Sequence, residues 1–331
     1  MTYRENTIIA YRHGMPLWTP NVIVDCNVTL QSSVNERYEG QTSGSDEFGV
    51  QYTFIPQVGA PIVTPGTEIL TDISAWKKQI RFPDVDSYDW EAGSSRDTAN
   101  WDREKFSVVQ LFNGPFERLH ALMGFENALI ALLEYPSDVF EFFEAFTEYR
   151  IKMYKKIAQY YKPDSIMVFD DYGADHSMLL SPDCWRTLIK PHIKKAIDTV
   201  HDLGIFYTLH SCGFIRPIFK DIVEMGADAI HPMQYVNDAP ALKKEYGRHI
   251  TFTGGFDNIG ILDNPGAEPE DIRKEVRRVL QELAADGSYV AWQTVLSKEA
   301  RKIFLDEIMQ HSAPKMTTAG IEPPDWTTLI Q

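Results

Sequence analysis

The 331-residue sequence predicts an α/β fold, a (β/α)8 TIM barrel with an irregular N-terminal extension. Short apolar runs alternate with helix-length amphipathic segments from residue 106 onward, the pattern of a parallel sheet covered by helices. The chain accommodates up to eight such units, which favours a closed barrel over an open sheet. No GxGxxG follows an early strand, which speaks against a dinucleotide-binding fold. Barrels of this length are commonly one domain. A single domain over 1–331 is therefore expected, with an irregular N-terminal stretch over 1–105, regular β/α units over 106–310 and a loosely ordered tail over 311–331.

The elements follow from local signals. Pro16-Leu17-Trp18 leads into Val22-Ile23-Val24, expected as the first strand. Residues 39–66 are rich in Gly, Thr, Ser and Pro and read as loop or short hairpin. Residues 82–105 are polar and read as irregular chain or short helices. Phe106–Phe112 (FSVVQLF) is an apolar run stopped by Asn113-Gly114-Pro115, as a buried parallel strand requires. A helix is expected over 116–133, and Ser137 and Asp138 are expected to cap a long one ending at Tyr161. Ser165–Phe169 (SIMVF) is the next strand. Ser181-Pro182-Asp183 opens a helix with Pro just inside its start, and a further helix ends at Leu203-Gly204. Strands Ile205–Leu209, Ala229-Ile230, Ile250–Thr253 and Ser288–Trp292 alternate with helices over 215–225, 269–286 and 297–310.

Composition excludes several classes of function. Hydrophobic residues make up 44% and aromatics include 7 Trp, 15 Tyr and 18 Phe, enough for a large core. A formal net charge of −15 repels a phosphate backbone, so nucleic acid is not an expected partner. The N-terminus has no apolar run of signal-peptide type, and no stretch approaches the ~20 apolar residues that span a bilayer, so no membrane association and a cytoplasmic location are expected. Three cysteines, Cys26, Cys184 and Cys212, are too few and odd in number for a disulfide framework, which leaves free thiols or a thiolate ligand.

Polar residues recur just beyond strand ends: Asp170, Asp171, His210, Cys212, His231, Gln234, Asp257 and Asn258. In a parallel barrel these positions gather at one rim, where barrel enzymes keep their sites. Asp and Asn there also serve as ordinary helix caps. His210-Ser211-Cys212 is the sharpest feature, because alternating positions beyond a strand present both side chains to one side. Imidazole and thiolate are favoured zinc ligands, and a catalytic zinc needs a third; a buried Cys beside a hydrogen-bonded His fits the same spacing. Adjacent Asp170 and Asp171 face opposite ways on extended chain, so at most one enters a site. His231-Pro232-Met233-Gln234 offers a second imidazole. His176 reads as a solvated loop residue, Cys184 as core beside Trp185, and Cys26 as a weak ligand candidate. Asp170, Asp171, His231 and Asp257 are the catalytic candidates. Tyr172, Gln234, Phe256 and Asn258 are the candidates for substrate contact.

The succession DDYGADHSMLLSP, YTLHSCG, EMGADAI and TGGFDN resembles the uroporphyrinogen decarboxylase superfamily over Pro16–Gln310, most clearly over Asp170–Asn258. The decarboxylases of that superfamily bind an acidic tetrapyrrole through an Arg-rich N-terminal segment. Here Arg12-His13-Gly14-Met15-Pro16-Leu17-Trp18 lacks the paired arginines that follow the Trp. The decarboxylases also lack a His-x-Cys. The superfamily's zinc-dependent, corrinoid-linked methyltransferases carry His-x-Cys-Gly at this strand end, as His210-Ser211-Cys212-Gly213 does. Their thiol-methylating members add a C-terminal Cys, whereas Ser288–Trp292 (SYVAW) has none. The remaining ligand is then to be sought among Asp170, Asp171, His231 and Asp257. GADAIHPMQ, PALKKEYG and TGGFDN look closest to the first methyltransferases of O-demethylase systems. That resemblance implies Zn2+ at His210 and Cys212, a small methylated substrate of methoxyaromatic type, and methyl transfer to cobalamin carried by a separate corrinoid protein. It leaves a homodimer open. The alternatives are a tetrapyrrole lyase and a non-catalytic corrinoid- or tetrapyrrole-binding protein.

Overall fold

The computed structural model describes residues 1–57 and 59–329. A curled parallel sheet of seven strands forms its centre, in the order β1 (Cys26–Leu30), β5 (Phe106–Leu111), β6 (Ser165–Phe169), β7 (Phe206–His210), β8 (Ala229–Met233), β9 (Thr251–Gly254) and β10 (Tyr289–Val290). A separate antiparallel sheet joins β2 (Gly44–Ser45), β3 (Gln51–Ile55) and β4 (Ala60–Val63) within the region expected as loop or hairpin. Residues of β5, β6, β8 and β9 are almost wholly buried, and β5 and β6 accordingly read as largely apolar runs without polar alternation.

The first strand departs from expectation. Val22–Val24 folds as the helical turn Val22–Asp25, because the Asn21 side chain accepts from the Val24 amide and caps it. The buried Asp25 carboxyl holds the turn by accepting from Trp18 Nε1 at 2.7 Å and from the Asn21 amide at 2.9 Å. The strand begins only at Cys26. Among the described residues the parallel sheet has seven strands, where up to eight units were expected. Beyond β10, a single parallel bridge joins Ala291 to Asn21, just ahead of β1.

Helices pack on the outside of the sheet. The segment expected as one helix over 116–133 is two, Pro115–Met123 and Phe125–Glu134, broken at Gly124 with φ 80°. The long helix Pro136–Tyr160 starts on its own proline, without a side-chain cap from Ser137 or Asp138. Ser181 does cap its helix, its hydroxyl accepting from the Cys184 amide. The last helix, Lys298–Thr318, runs past His311 and through Pro314, so the segment expected as loose tail is helical to Thr318; its buried Met316 packs in a satellite core with Trp18 and Val24. Among the described residues no helix is long and apolar enough to cross a membrane.

The N-terminal helix Tyr3–Tyr11 closes one end of the sheet. Its Tyr11 ring packs on Phe106 at 4.5 Å and Phe206 at 5.3 Å, the first residues of β5 and β7. Arg12 and Cys26 lie at that end, away from His210, which ends β7.

Candidate metal centre

The site grows out of strand register. Phe169 of β6 is level with His210 of β7, and His210 with His231 of β8. Past these pairs the loops continue side by side: the Asp170 amide donates to the His210 carbonyl, the Tyr172 amide to Ser211 Oγ, and the Phe214 amide to the Ala174 carbonyl. Two glycines permit this approach. A Cβ on Gly213, whose φ is 77°, would lie 2.2 Å from the Gly173 carbonyl carbon. One built on Gly173 would lie 2.4 Å from the Phe214 nitrogen.

The close pairing brings Asp171, His210 and Cys212 together, with one ligand atom from each lying within 4.8 Å of the others. Cys212 Sγ and Asp171 Oδ1 are each 3.5 Å from His210 Nε2. The Cys212 amide donates to Asp171 Oδ1 at 2.7 Å, which fixes the carboxylate. His210 Nδ1 lies 2.7 Å from His231 Nδ1, and Phe169 stacks on the His210 ring at 3.8 Å. His231 in turn meets Trp292 edge-on at 4.8 Å.

Burial and neighbouring carboxyls set the protonation of the three groups. Burial, with His231 nearby, holds His210 well below the usual imidazole range, so it is neutral and keeps a lone pair. Burial, then the Asp171 and Glu117 carboxyls, pushes the Cys212 thiol up to about 12. Burial also raises Asp171. A divalent cation reverses this logic, because it favours thiolate and carboxylate over their protonated forms. One imidazole nitrogen, one sulfur and one carboxylate oxygen form a donor set that fits Zn2+ and leaves a coordination position open.

The neighbouring carboxyl takes a different role. Asp170 is buried and accepts from the amides of Phe116 and Glu117, capping the helix Pro115–Met123, and from the Tyr172 hydroxyl at 2.6 Å. Burial pushes it up to about 7. Tyr172 is itself buried against Trp185, so it presents no free surface to a ligand. Gln234 braces the site by accepting from the Gly213 amide at 2.5 Å. Asp257 caps its own turn through the Gly260 amide, Asn258 binds Asp263, and Phe256 packs in the core on Phe304. These three are committed to the β9 loop and its packing, and the structure does not bring them to the triad. His176 is exposed in its loop.

A cavity of about 620 Å3 leads to the triad at Asp171. Its wall includes Arg37, Tyr52, Ile62, Asn113, Glu117, His120 and Phe125. Glu117 was not legible in the sequence. It lies in the first turn of the helix after Asn113-Gly114-Pro115, where a residue beyond a strand-ending turn was the available signal. Its carboxyl accepts from the Asn113 amide, and burial with the charges of Asp171 and Asp170 pushes it up to about 8. Arg37 comes from the irregular N-terminal stretch and carried no signal.

The uroporphyrinogen decarboxylase (URO-D) family model matches residues 43–292. A methyltransferase from Methanosarcina mazei superposes with TM-score 0.66 at 15% identity, over 94% of this chain and 99% of that one. A D-psicose 3-epimerase crystallised in the presence of D-fructose gives TM-score 0.39 at 10% identity, over 71% of this chain and 84% of that one. No curated protein matches in sequence. With three quarters of its length under the family model, the chain belongs to the uroporphyrinogen decarboxylase (URO-D) family.

Proposed function

We propose that the chain is a zinc-dependent methyltransferase that takes a methyl group from a small methylated donor, a methoxyaromatic, and passes it to the cob(I)alamin of a separate corrinoid protein in the cytoplasm. The observation that carries this reading is the Asp171–His210–Cys212 cluster beyond the ends of β6 and β7. A URO-D-like α/β fold and a structural neighbour described as a methyltransferase support it. On this reading the bridge Asn21–Ala291 stands where the eighth strand of a closed barrel would run.

Asp171, His210 and Cys212 would hold the metal, with His231 orienting His210 through the 2.7 Å contact between their Nδ1 atoms. When bound, zinc supplies a Lewis acid for the ether oxygen, where charge develops as the phenolate departs. Glu117 keeps a proton on its carboxyl near neutral pH, on the wall of the cavity it shares with Asp171. It is thus placed to donate a hydrogen bond to the departing oxygen. The Phe169 ring holds the His210 imidazole plane, and Phe125 and Leu179 give the cavity apolar wall against which an aromatic donor can lie.

The alternative of a tetrapyrrole lyase has less support. Arg12 sits at the end of the sheet closed by the N-terminal helix, so that segment brings no arginine to the triad. The test is turnover. Zinc-replete protein with free cob(I)alamin and methoxyaromatic donors should convert the corrinoid spectrum to that of the methylated form. No consumption of any methoxyaromatic by protein that retains stoichiometric zinc would overturn the reading.

A further inference from the structure

Arg37 projects from a segment that the fold spends four buried charges to fix. Glu36, beside it, is 3% exposed and pairs with Arg150, also 3% exposed, at 2.5 Å. The Glu36 carbonyl accepts from Asn113 Nδ2 at 2.9 Å and from the Arg118 guanidinium. Arg118 pairs with Asp46 at 2.8 Å, neither side chain being exposed at all. Buried pairs of this kind add little net stability, but breaking one is costly, so they lock geometry. What they lock is the backbone at 36–37 against Phe112 and Asn113, at the end of β5.

The Arg37 guanidinium itself lies over the Phe112 ring, 4.8 Å from its centre, and is 31% exposed. Its one ion pair among the described residues is with Glu39 at 2.9 Å, a side chain 38% exposed. A guanidinium has five N–H donors, so this single partner leaves several for a ligand. Arg37 shares the cavity wall with Asp171 and Glu117. Ile62, Val63, Phe125 and Leu179 line the same space. The cavity thus offers a metal-ligand carboxylate, an apolar wall and a fixed cation.

We propose that Arg37 is a specificity-determining residue of this cavity, and that the methyl donor is an aromatic ether carrying a carboxylate, which the guanidinium binds while the ether oxygen faces Asp171. This rests on the methyl-transfer reading and names its substrate class. A charge-assisted, two-pronged contact of guanidinium with carboxylate is about twice as strong as a neutral one.

The test is calorimetric binding of 4-methoxybenzoate and 4-methoxybenzamide, which share size and ring but not charge, to zinc-replete protein at pH 7. The wild-type chain should prefer the benzoate by roughly 10- to 100-fold, the range of a hydrogen bond to a charged group. Arg37→Gln should bind the two alike to within about twofold, and Arg37→Lys should keep some of the preference as a point charge. Zinc content and melting temperature of both variants report on folding independently. Equal binding of the two ligands by the wild type, or an undiminished preference in Arg37→Gln, would overturn the assignment while leaving the methyl-ether reading in place. Binding of neither ligand by zinc-replete wild type would instead remove the methyl-ether reading, and this inference with it.

Discussion

Replacing Gly213 by alanine should pull the metal ligands apart. The added Cβ would fall 2.2 Å from the Gly173 carbonyl carbon, 2.4 Å from its oxygen and 2.7 Å from the Ala174 nitrogen. All three are backbone atoms, so no side chain can rotate aside. Relief to an ordinary contact of about 3.4 Å requires the loops after β6 and β7 to separate by roughly 1.2 Å. The positive φ of 77° adds ~1–2 kcal/mol for a residue with a Cβ, and overpacking typically ~1–3 kcal/mol more. A total cost of roughly 2–5 kcal/mol in stability follows. The separation matters more for the site, because Asp171 stands on one loop and Cys212 on the other, joined by the 2.7 Å bond from the Cys212 amide. Metal–ligand distances tolerate only about ±0.2 Å, so zinc affinity should fall at least 10- to 100-fold, roughly the range seen when supporting geometry is lost. Chelator competition gives the affinity, and a thermal melt followed by circular dichroism gives the stability. A Gly213→Ala protein that melts with the wild type and holds zinc as tightly would refute the claim that close backbone approach builds the site.

Two further outcomes are expected. His231→Ala removes the partner of His210 Nδ1 and should weaken zinc binding about 10- to 100-fold with His210 and Cys212 intact, again by chelator competition; unchanged affinity would show that Phe169 alone orients the ring. Asp25 is buried and its carboxyl is pushed up to about 7 in the folded chain, against an ordinary value of 3.8. Its folded-state pKa is raised, so its contribution is fully present below pH ~4 and is lost as pH rises to about 7, at most roughly 4 kcal/mol in all. Urea midpoints between pH 4 and 8 should therefore fall less steeply for Asp25→Asn than for the wild type. Parallel curves would place the Asp25 carboxyl at its ordinary pKa.

Most of the sheet was readable because its strands are buried on both faces. FSVVQLF and SIMVF leave no polar alternation to misread, and the observed strands Phe106–Leu111 and Ser165–Phe169 fall inside them. The first strand was not readable for the opposite reason. Cys26–Leu30 (CNVTL) is partly exposed and polar, while the apolar Val22-Ile23-Val24 beside it is claimed by the Asn21 cap and the Asp25 carboxyl. Gly124 splits a helix whose apolar spacing continues across it, because its φ of 80° ends one helix and begins the next.

The candidate site divides in the same way. His210 and Cys212 share a strand end, and alternation along the Asp170-Asp171 pair implied that only one carboxyl would join them. Asp171 does so, while Asp170 caps a helix. Which of the four candidate ligands would lie nearest depended on the Gly173–Gly213 contact, a through-space relation that spacing does not encode. Arg37 and Glu117 reach the cavity from an irregular segment and a helix far apart in the chain, and long-range contacts such as the buried Glu36–Arg150 and Arg118–Asp46 pairs, which spacing does not encode, bring the two segments together.

The most direct test is elemental analysis of the wild-type chain, purified without added metal, beside Cys212→Ala and Asp171→Ala. About one zinc per chain is expected in the wild type, abolished or sharply reduced in both variants while the fold is retained by circular dichroism. A wild type without metal, or zinc retained in full by both variants, would contradict the assignment of Asp171, His210 and Cys212 as a metal centre.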